Sequence, residues 1–337
     1  SFFNKRLLKY TQTDKKTKGD MKMKQIDTVA IIGLGAIGAF FADSLLPALN
    51  DGLRIIAGGE RAKALKKEGM VINGTREFYN IVAPDEKTEP ADLVIITTKM
   101  TGLKQALEDI ENQVGPDTII MAPLNGVESE DVVAEKYGWD KVLYSLMRVS
   151  SVKDGNKVSF DPDNSFLEFG ERTNDLEKLS DKVKTVQGIF EEAGIKYQIR
   201  PDMNRAIWEK YICNVSENQV AAILDIPFGA WGSCNDANQL RLMVADEVIQ
   251  IARKKGIMID TDYAKDHLEF LKVVPEKNKP STLQDILAGR KTEKDMLAGT
   301  VIRLGKETGV PTPLNEFLYH AIKVLEDKND GKVKGVN

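Results

Sequence analysis

A run of apolar residues that leads directly into a glycine-rich turn is the feature that most constrains this chain. Residues 29–32 read Val-Ala-Ile-Ile, and residues 33–38 read Gly-Leu-Gly-Ala-Ile-Gly, the pattern G-x-G-x-x-G, ahead of an apolar helical stretch. Gly33 allows the tight strand-to-helix turn, Gly35 lets the backbone approach a pyrophosphate, and Gly38 lets helix and strand pack closely. The pattern predicts a dinucleotide-binding turn, and the alternative is a glycine-rich turn of another α/β protein. The expected cofactor-binding residues of this turn are Gly33, Leu34, Gly35, Ala36, Ile37 and Gly38.

The first part of the chain alternates between apolar strand patterns and helical patterns. Continuous apolar runs of this kind favour a parallel sheet that is covered on both faces. We therefore predict an α/β Rossmann-type N-terminal domain with a parallel sheet. A hairpin is expected at Asp154-Gly155-Asn156. Further strands are expected at 53–57, 92–97, 118–121 and 196–199, and helices at 39–49, 60–68 and 175–193.

After Pro201 the pattern becomes helical, which predicts an all-α C-terminal domain. Helices are expected at 204–224, 236–255, 262–273, 282–289 and 292–308. This gives a basic N-terminal extension at 1–23 outside the core, a Rossmann-like domain at 24–200, a helical domain at 201–327 and a tail at 328–337. We assign no function to the extension, which makes a poor secretory signal because it contains no long apolar segment.

Composition excludes several classes of protein. The 337 residues carry a net charge of -4 with a pI of about 5.6, which argues against binding to nucleic acid or to an anionic membrane surface. Apolar runs stay well short of the roughly 20 residues that a membrane span needs. Cys213 and Cys234 are too few for a disulfide framework and lack zinc-binding spacing. We therefore expect a cytoplasmic protein without a metal site.

The end of the second strand bears on which nicotinamide cofactor would bind. NAD is usually recognised there by a carboxylate, but residues 57–61 read Ala-Gly-Gly-Glu-Arg, with no carboxylate at the tip. Arg61 opens the next helix, where it could pair with the 2′-phosphate of NADP. The alternative is that Arg61 is a solvated helix residue. The pattern favours NADP(H) over NAD, and the family resemblance described below supports the same choice.

A polar stripe marks the first helix of the second half. Lys210, Asn214 and Asn218 are spaced i, i+4 and i+8 and therefore line one face of a helix that is otherwise apolar. Exposed helix faces usually mix charges of both signs, so one lysine with two neutral amides indicates a site. A partly solvated stripe, with the lysine amine reaching solvent, is the alternative.

A second polar cluster spans residues 278–293. Ser281-x-x-Gln284 matches a capping box, and Thr292-x-x-Asp295 is a second cap signal that would place Glu293 in the first turn of a helix. These caps account for Ser281 and Thr292. They explain neither Asn278 nor the choice of glutamate at 293.

From about Thr28 to Pro313 the chain resembles the ketopantoate reductase (2-dehydropantoate 2-reductase) family. The resemblance is carried by the glycine turn, Lys99 after the third strand, Asn125-Gly126 after the fourth, Trp208-x-Lys210 with Asn214 and Asn218, Ser281-x-Leu283-Gln284-Asp285, and Gly289-Arg290-x-Thr292-Glu293. It implies a Rossmann domain followed by an all-helical domain, with the active site between them. It also implies reduction of ketopantoate to pantoate by NADPH, for pantothenate synthesis, in a monomer or homodimer.

The resemblance also implies roles for individual residues. Lys210 would be the general acid that protonates the ketone oxygen, and Glu293 would bind the substrate hydroxyl and orient Lys210. The substrate would be held by Asn214, Asn218, Asn278 and Ser281. Asn125 would contact both nicotinamide and substrate, and Lys99 would lie near the cofactor. Hydride transfer builds alkoxide charge, so a proton donor is required, and neither His267 nor His320 lies in a motif.

Departures from the family pattern keep other functions open. Leu124 replaces the glutamine that commonly precedes Asn-Gly, Gly58 replaces the arginine that commonly ends the second strand, and residues 161–163 read Asp-Pro-Asp where a Pro-Gly turn is usual. One alternative is therefore a reductase of another small 2-keto acid. Another is a catalytically silent NADP(H)-binding sensor, although the presence of Lys210 and Glu293 speaks against it.

Overall fold

The computed structural model describes residues 24–149, 151–162 and 165–335. The predicted N-terminal extension at 1–23 and the last two residues of the predicted tail lie outside the described residues. Contacts along the chain divide it into two compact units, Ser1–Asn204 and Arg205–Asn337.

The N-terminal unit is built on a sheet of eight strands among the described residues, in the order β12-β11-β8-β7-β6-β1-β2-β5. The run from β5 to β8 is parallel, β11 is antiparallel to β8, and β12 is parallel to β11. This confirms the predicted α/β class, with an antiparallel strand added at one side. The strands are β1 Val29–Ile32, β2 Leu53–Ile56, β3 Met70–Ile72, β4 Thr75–Glu77, β5 Asn80–Val82, β6 Leu93–Ile96, β7 Ile119–Met121, β8 Val142–Arg148, β9 Ser151–Asp154, β10 Lys157–Phe160, β11 Phe166–Gly170 and β12 Tyr197–Gln198.

The central strands are apolar throughout because both faces of the sheet are covered. All four residues of β1 are buried, and so are all four of β6. Val29 and Ile31 pack in one apolar cluster with Phe41, whereas Ala30 and Ile32 pack in a second cluster on the other face. The covering helices are α1 Ala36–Leu49, α2 Gly59–Glu68, α3 Leu103–Asp109, α4 Ser129–Tyr137 and α5 Asp181–Glu192. The helix predicted at 175–193 begins later than expected, at Asp181, where Ser180 accepts a hydrogen bond from the Val183 amide.

A second, smaller sheet in the N-terminal unit has the order β4-β3-β10-β9. The expected hairpin at Asp154-Gly155-Asn156 is confirmed, because β9 and β10 pair antiparallel around it. Phe160 on β10 packs edge-on against Phe40 of α1, with their ring centroids 5.4 Å apart. This sheet places the hairpin beside the helix that follows the glycine turn.

The C-terminal unit is helical in its described residues, as predicted. Its helices are α6 Met203–Cys213, α7 Gln219–Leu224, α8 Ala230–Ser233, α9 Asn235–Lys254, α10 Tyr263–Asp266, α11 Leu268–Leu271, α12 Ser281–Leu287, α13 Thr300–Thr308 and α14 Pro313–Asn329, with π-helical turns at Asn214–Asn218 and Asp295–Gly299. The single helix predicted at 262–273 is wrong, since two four-residue helices occupy that segment. Helix α14 was not predicted, and it extends to Asn329, beyond the start of the predicted tail.

Helix α9 forms the interior of the C-terminal unit and carries buried charge. Arg241 is fully buried, and the buried Glu247 accepts hydrogen bonds from the Leu314 and Asn315 amides at 2.9 and 3.1 Å. A carboxylate at a helix N-terminus is stabilised by those amides, so Glu247 fixes the start of α14. In the described part of the chain, no helix is long and apolar enough to span a bilayer.

Candidate functional site

The glycine turn has the geometry that its sequence predicts. Gly33 has φ +96°, and a Cβ there would lie 2.6 Å from the Thr98 amide nitrogen. A Cβ on Gly38 would lie 2.3 Å from the Gly33 carbonyl oxygen. The Thr97 hydroxyl donates to that same carbonyl at 2.6 Å. Both positions therefore require glycine for packing, because a methyl group would force the turn apart.

Gly35 differs from its neighbours because a Cβ there would meet nothing within 4 Å. It stands at the N-cap of the fourteen-residue helix α1, and the cap is open to solvent rather than filled by protein atoms. Backbone amides at such a helix start attract a pyrophosphate, and the missing side chain leaves it room to approach. The residues of this turn therefore fit a dinucleotide cofactor.

Three basic residues are electrostatic neighbours of one another, and one of them, Arg61, contacts the glycine turn. The Arg61 guanidinium donates to the Leu34 carbonyl at 3.2 Å, which ties it to the glycine loop. Partial desolvation and the charges of Arg61 and Lys99 lower the pKa of Lys153, so all three are electrostatic neighbours. Lys153 lies on β9, and sequence reasoning missed it because the hairpin carries no motif. This cationic group suits an additional phosphate.

Asn125 follows β7 in a loop that leads to α4. The next residue, Gly126, has φ +112°, which favours glycine at that point of the loop. Just beyond, Glu130 is buried, and its carboxyl oxygens accept hydrogen bonds from the Ser129 hydroxyl at 2.8 Å and the Ser145 amide at 3.4 Å. Burial raises the pKa of Glu130 to about 7, against the opposing effect of these hydrogen bonds. The loop that carries Asn125 therefore leads into a helix whose second residue, Glu130, has a carboxyl group that titrates near neutral pH.

Lys210, Asn214 and Asn218 lie on one helical segment, as predicted, but the segment is not a regular α-helix. Lys210 belongs to α6 and is 9% exposed. Residues 214–218 form a π turn, which is wider than an α-turn and shifts Asn218 around the axis relative to Lys210. Both asparagines are half-buried. The periodicity of the sequence does not reveal this turn.

The two π turns of the C-terminal unit are joined by hydrogen bonds. The Tyr211 hydroxyl donates to the carbonyls of Met296 and Leu297, at 3.1 and 2.7 Å. The Gln219 side chain accepts from the Ala298 amide at 3.2 Å and donates to the Val215 carbonyl at 3.0 Å. A π turn leaves backbone groups without their usual helical partners, and buried groups of this kind need replacements. Tyr211 and Gln219 supply them.

Glu293 lies two residues before the second π turn, which begins at Asp295. Its carbonyl accepts from the Met296 and Leu297 amides at 3.0 and 2.9 Å. The Thr292 hydroxyl accepts a hydrogen bond from the Lys294 amide at 3.3 Å, as a cap does, and Thr292 also donates to Glu326 through its amide at 2.9 Å and its hydroxyl at 2.8 Å. Burial opposes ionisation of Glu326, but these bonds and the charge of Lys294 outweigh it and lower the pKa of Glu326. Glu293 is therefore flanked by anchored residues.

Ser281 meets the polar stripe directly. The Asn218 amide donates to the Ser281 hydroxyl at 3.2 Å, which brings together two predicted substrate-binding residues from segments 63 positions apart. The predicted capping box is wrong, since Pro280 is the N-cap of α12 and Ser281 is its first residue. The Gln284 side chain donates to the Lys279 carbonyl rather than to a cap. Ser281 is exposed, so its hydroxyl is open to a ligand.

Asn278 lies in the loop before α12 and is half-buried. Its carbonyl accepts from the Phe228 amide at 2.9 Å, and its own amide donates to the Pro275 carbonyl at 2.9 Å. Its backbone is therefore fixed within the C-terminal unit. The residues predicted to bind the cofactor (Gly33 to Gly38, Arg61, Lys99 and Asn125) all belong to the N-terminal unit.

Family models match both halves of the chain. Residues 29–174 match the model described as ketopantoate reductase PanE/ApbA, and residues 202–326 match the model described as ketopantoate reductase PanE/ApbA C terminal. Together these matches cover most of the chain.

Individual proteins show the same relationship. A 2-dehydropantoate 2-reductase of Aquifex aeolicus is 29% identical over 310 residues, covering 88% of this chain and 96% of that protein. A D-mandelate dehydrogenase solved with NADH and anilino(oxo)acetate has a TM-score of 0.79 at 25% identity, covering 90% of this chain and 99% of that one. A PanE/ApbA family ketopantoate reductase from Ralstonia eutropha JMP134 has a TM-score of 0.74 at 23% identity, covering 90% and 99%.

Proposed function

Since this chain belongs to the ketopantoate reductase PanE/ApbA family, we propose that it reduces 2-dehydropantoate (ketopantoate) to pantoate with NADPH. One observation carries the proposal. The Asn218–Ser281 hydrogen bond joins the two most specific motif segments. Hydrogen bonds from Tyr211 and Gln219 also link the π turn that contains Asn214 and Asn218 to the π turn that follows Glu293. A sequence that had lost its catalytic function would have no need to keep these polar groups on so apolar a helix.

The proposed chemistry assigns one role to each polar side chain of the C-terminal unit. The bound cofactor would supply the hydride to the ketone carbon. Lys210 then donates a proton from its Nζ to the ketone oxygen, and its positive charge stabilises the alkoxide as that charge develops. Glu293 accepts a hydrogen bond from the substrate hydroxyl and orients Lys210. Carboxylate and hydroxyl groups of the substrate bind to Asn214, Asn218, Asn278 and Ser281.

The basic residues Arg61, Lys99 and Lys153 support NADPH over NADH. Arg61 is held against the Leu34 carbonyl, and Lys99 and Lys153 add positive charge next to it. A 2′-phosphate carries close to two negative charges and several acceptor oxygens, which cations recognise strongly. In this proposal these residues replace the strand-end arginine that the family commonly has and that is Gly58 here.

This assignment predicts that Lys153→Ala lowers the preference for NADPH over NADH. The expected loss is about fivefold to tenfold in the ratio of kcat/KM values, as for one charge-assisted contact. Lys157→Ala, on the other strand of the same hairpin, is the matched control and should leave the ratio unchanged. An unchanged ratio in Lys153→Ala would remove this residue from the cofactor site.

A second candidate is the reduction of another small 2-keto acid. The structural likeness to a D-mandelate dehydrogenase solved with NADH favours it, and Leu124 and residues 148–170 are where this chain departs from the family pattern. The same Lys210 chemistry would serve either substrate, because both reactions reduce a 2-keto group to a 2-hydroxy acid. Neither Cys213 nor Cys234 forms a disulfide bond, which fits a reducing cytoplasm in either case.

The decisive experiment is steady-state oxidation of NADPH with ketopantoate beside a panel of 2-keto acids that includes phenylglyoxylate, repeated with NADH. Preferred turnover of ketopantoate with NADPH supports the proposal. Preference for another acid keeps the mechanism and replaces the substrate. Absence of turnover across the panel, together with tight NADPH binding, would instead support a cofactor-binding sensor.

A further inference from the structure

Three buried side chains of the C-terminal unit bring a sulfur, a carboxylate and an imidazole together. One ligand atom each from Cys213, Glu217 and His267 lies within 4.8 Å of the other two. Their exposures are 5%, 4% and 5%. We propose that these three residues form a binding site for a divalent transition metal ion of the zinc type. The proposal does not depend on the substrate or the cofactor of the reaction.

The fold creates this set from positions that show no metal-binding motif in sequence. Cys213 and Glu217 are four residues apart at the end of α6 and in the first π turn, so both point to one side. His267 comes from the junction of α10 and α11, fifty residues further along. A tetrahedral zinc ion holds its ligand atoms about 3.5 Å apart, so side-chain movements of about 1 Å would complete the coordination.

The chemistry of the donors favours a borderline-soft ion. Thiolate, imidazole and carboxylate together are a zinc donor set, whereas magnesium and calcium prefer oxygen ligands alone. Binding would release the thiol proton of Cys213 to solvent, and the thiolate and the Glu217 carboxylate would then balance the two charges of the ion. Three protein ligands leave the fourth position for water.

Arg241 is a neighbouring positive charge that would repel a bound metal ion. It lies 3.4 Å from the nearer Glu217 oxygen, but its guanidinium also donates to the Ala264 carbonyl and the Asn238 side chain, both at 2.8 Å. Arg241 can therefore stay in place as a hydrogen-bond donor to a coordinating carboxylate, the usual role of an outer-shell group. The alternative to a metal site is a buried ion network in which Arg241 and His267 both contact the Glu217 carboxylate. Such a network needs no thiol, so the presence of Cys213 beside it is what favours a metal site.

The position of the proposed ion links it to the polar stripe. Cys213 directly precedes Asn214, and Glu217 directly precedes Asn218, so two ligands would clamp both ends of the first π turn. The Tyr263 hydroxyl lies 3.9 Å from the Cys213 sulfur and would contact the thiolate from outside. An ion here would fix the spacing of the two asparagines. Local opening of the four-residue helices α10 and α11 would provide an entry path.

The test uses cobalt(II) in the full chain, after treatment with a chelator and in the presence of a phosphine reductant. A cobalt–thiolate bond gives a charge-transfer absorption in the near ultraviolet. The chain has two cysteines, so Cys234→Ser leaves Cys213 as the sole thiol. We expect the band to saturate at one cobalt per chain in both the wild type and Cys234→Ser, and zinc to displace it. Absence of the band in Cys234→Ser overturns the proposal.

The second comparison tests the imidazole. The chain has two histidines, and His320 on α14 is exposed, so His320→Gln is the matched control for His267→Gln. In the Cys234→Ser background, His267→Gln should weaken cobalt binding at least about tenfold and His320→Gln should not change it. Equal affinities in the two variants overturn the proposal, because cobalt would then be bound at the sulfur without the buried histidine.

Discussion

The buried carboxyl group of Glu130 should make the stability of the N-terminal unit depend on pH. Glu130 ionises near pH 4.5 in an unfolded chain, and burial raises its folded pKa to about 7. Between these values the folded state holds a proton that the unfolded state has lost, so stability falls as the pH rises. At about 1.4 kcal/mol for each pH unit, the loss amounts to about 3 kcal/mol and is complete above about pH 7.

Glu130→Gln isolates this contribution because glutamine has the shape of the protonated acid and cannot ionise. We expect wild type and variant to have similar stability near pH 4.5, and the variant to be more stable by about 3 kcal/mol at pH 8. With a typical denaturant slope, the urea midpoint would differ by about 1–2 M. Hydrogen exchange of the β8 amides, which contact Glu130 through Ser145, reports the same difference for this unit alone.

Glu135→Gln is the matched control, since Glu135 lies on the same helix α4 and is exposed. It should leave the pH dependence as in the wild type. A stability difference between Glu130→Gln and the wild type that stays constant from about pH 5 to pH 8 would refute the reasoning, because it would mean that the Glu130 pKa is the same in the folded and unfolded states.

Four further substitutions test the candidate site. Lys210→Ala should lower kcat about 10²–10⁴-fold with cofactor affinity kept, as measured by steady-state kinetics and fluorescence titration; turnover within a few-fold of wild type would exclude Lys210 as the acid. Ser281→Ala should raise KM several-fold at an unchanged melting temperature, because Ser281 does not cap α12; the reverse pattern would indicate a purely structural role. Gly38→Ala should destabilise the chain by about 1–3 kcal/mol without cofactor, whereas Gly35→Ala, which has room for a methyl group, should weaken cofactor binding at an unchanged melting temperature.

The sequence predicted the features that depend on local pattern. The apolar runs at β1 and β6 predicted a sheet that is buried on both faces, and the spacing of Gly33, Gly35 and Gly38 predicted the turn. Both predictions were possible because each signal is contained in a few neighbouring residues. The hairpin at Gly155 was predicted for the same reason.

The features that depend on distant residues could not be predicted. The π turn at Asn214–Asn218 is stabilised by Gln219 and Tyr211 acting on a segment about eighty residues away. Ser281 matches a capping box locally, yet its hydroxyl accepts from Asn218 instead. The basic neighbour Lys153 and the grouping of Cys213 with His267 likewise arise from tertiary packing, which periodicity does not encode.

The π turn at Asn214–Asn218 also affects how this helix tolerates changes of length. A π turn is an α-helix with one extra residue, so removing a single residue from Val215–Glu217 would restore regular α-helical hydrogen bonding. In a regular α-helix, the loss of one residue rotates everything beyond it by about 100°. Here the π turn holds the extra residue, so its loss would leave the two flanking helical segments close to their present orientations. The residue that is now Asn218 would stand seven residues after Lys210, about 20° from it around the helix axis, and would therefore stay on the same face. This turn is thus the part of the helix where the register of the polar stripe would best tolerate the loss of one residue.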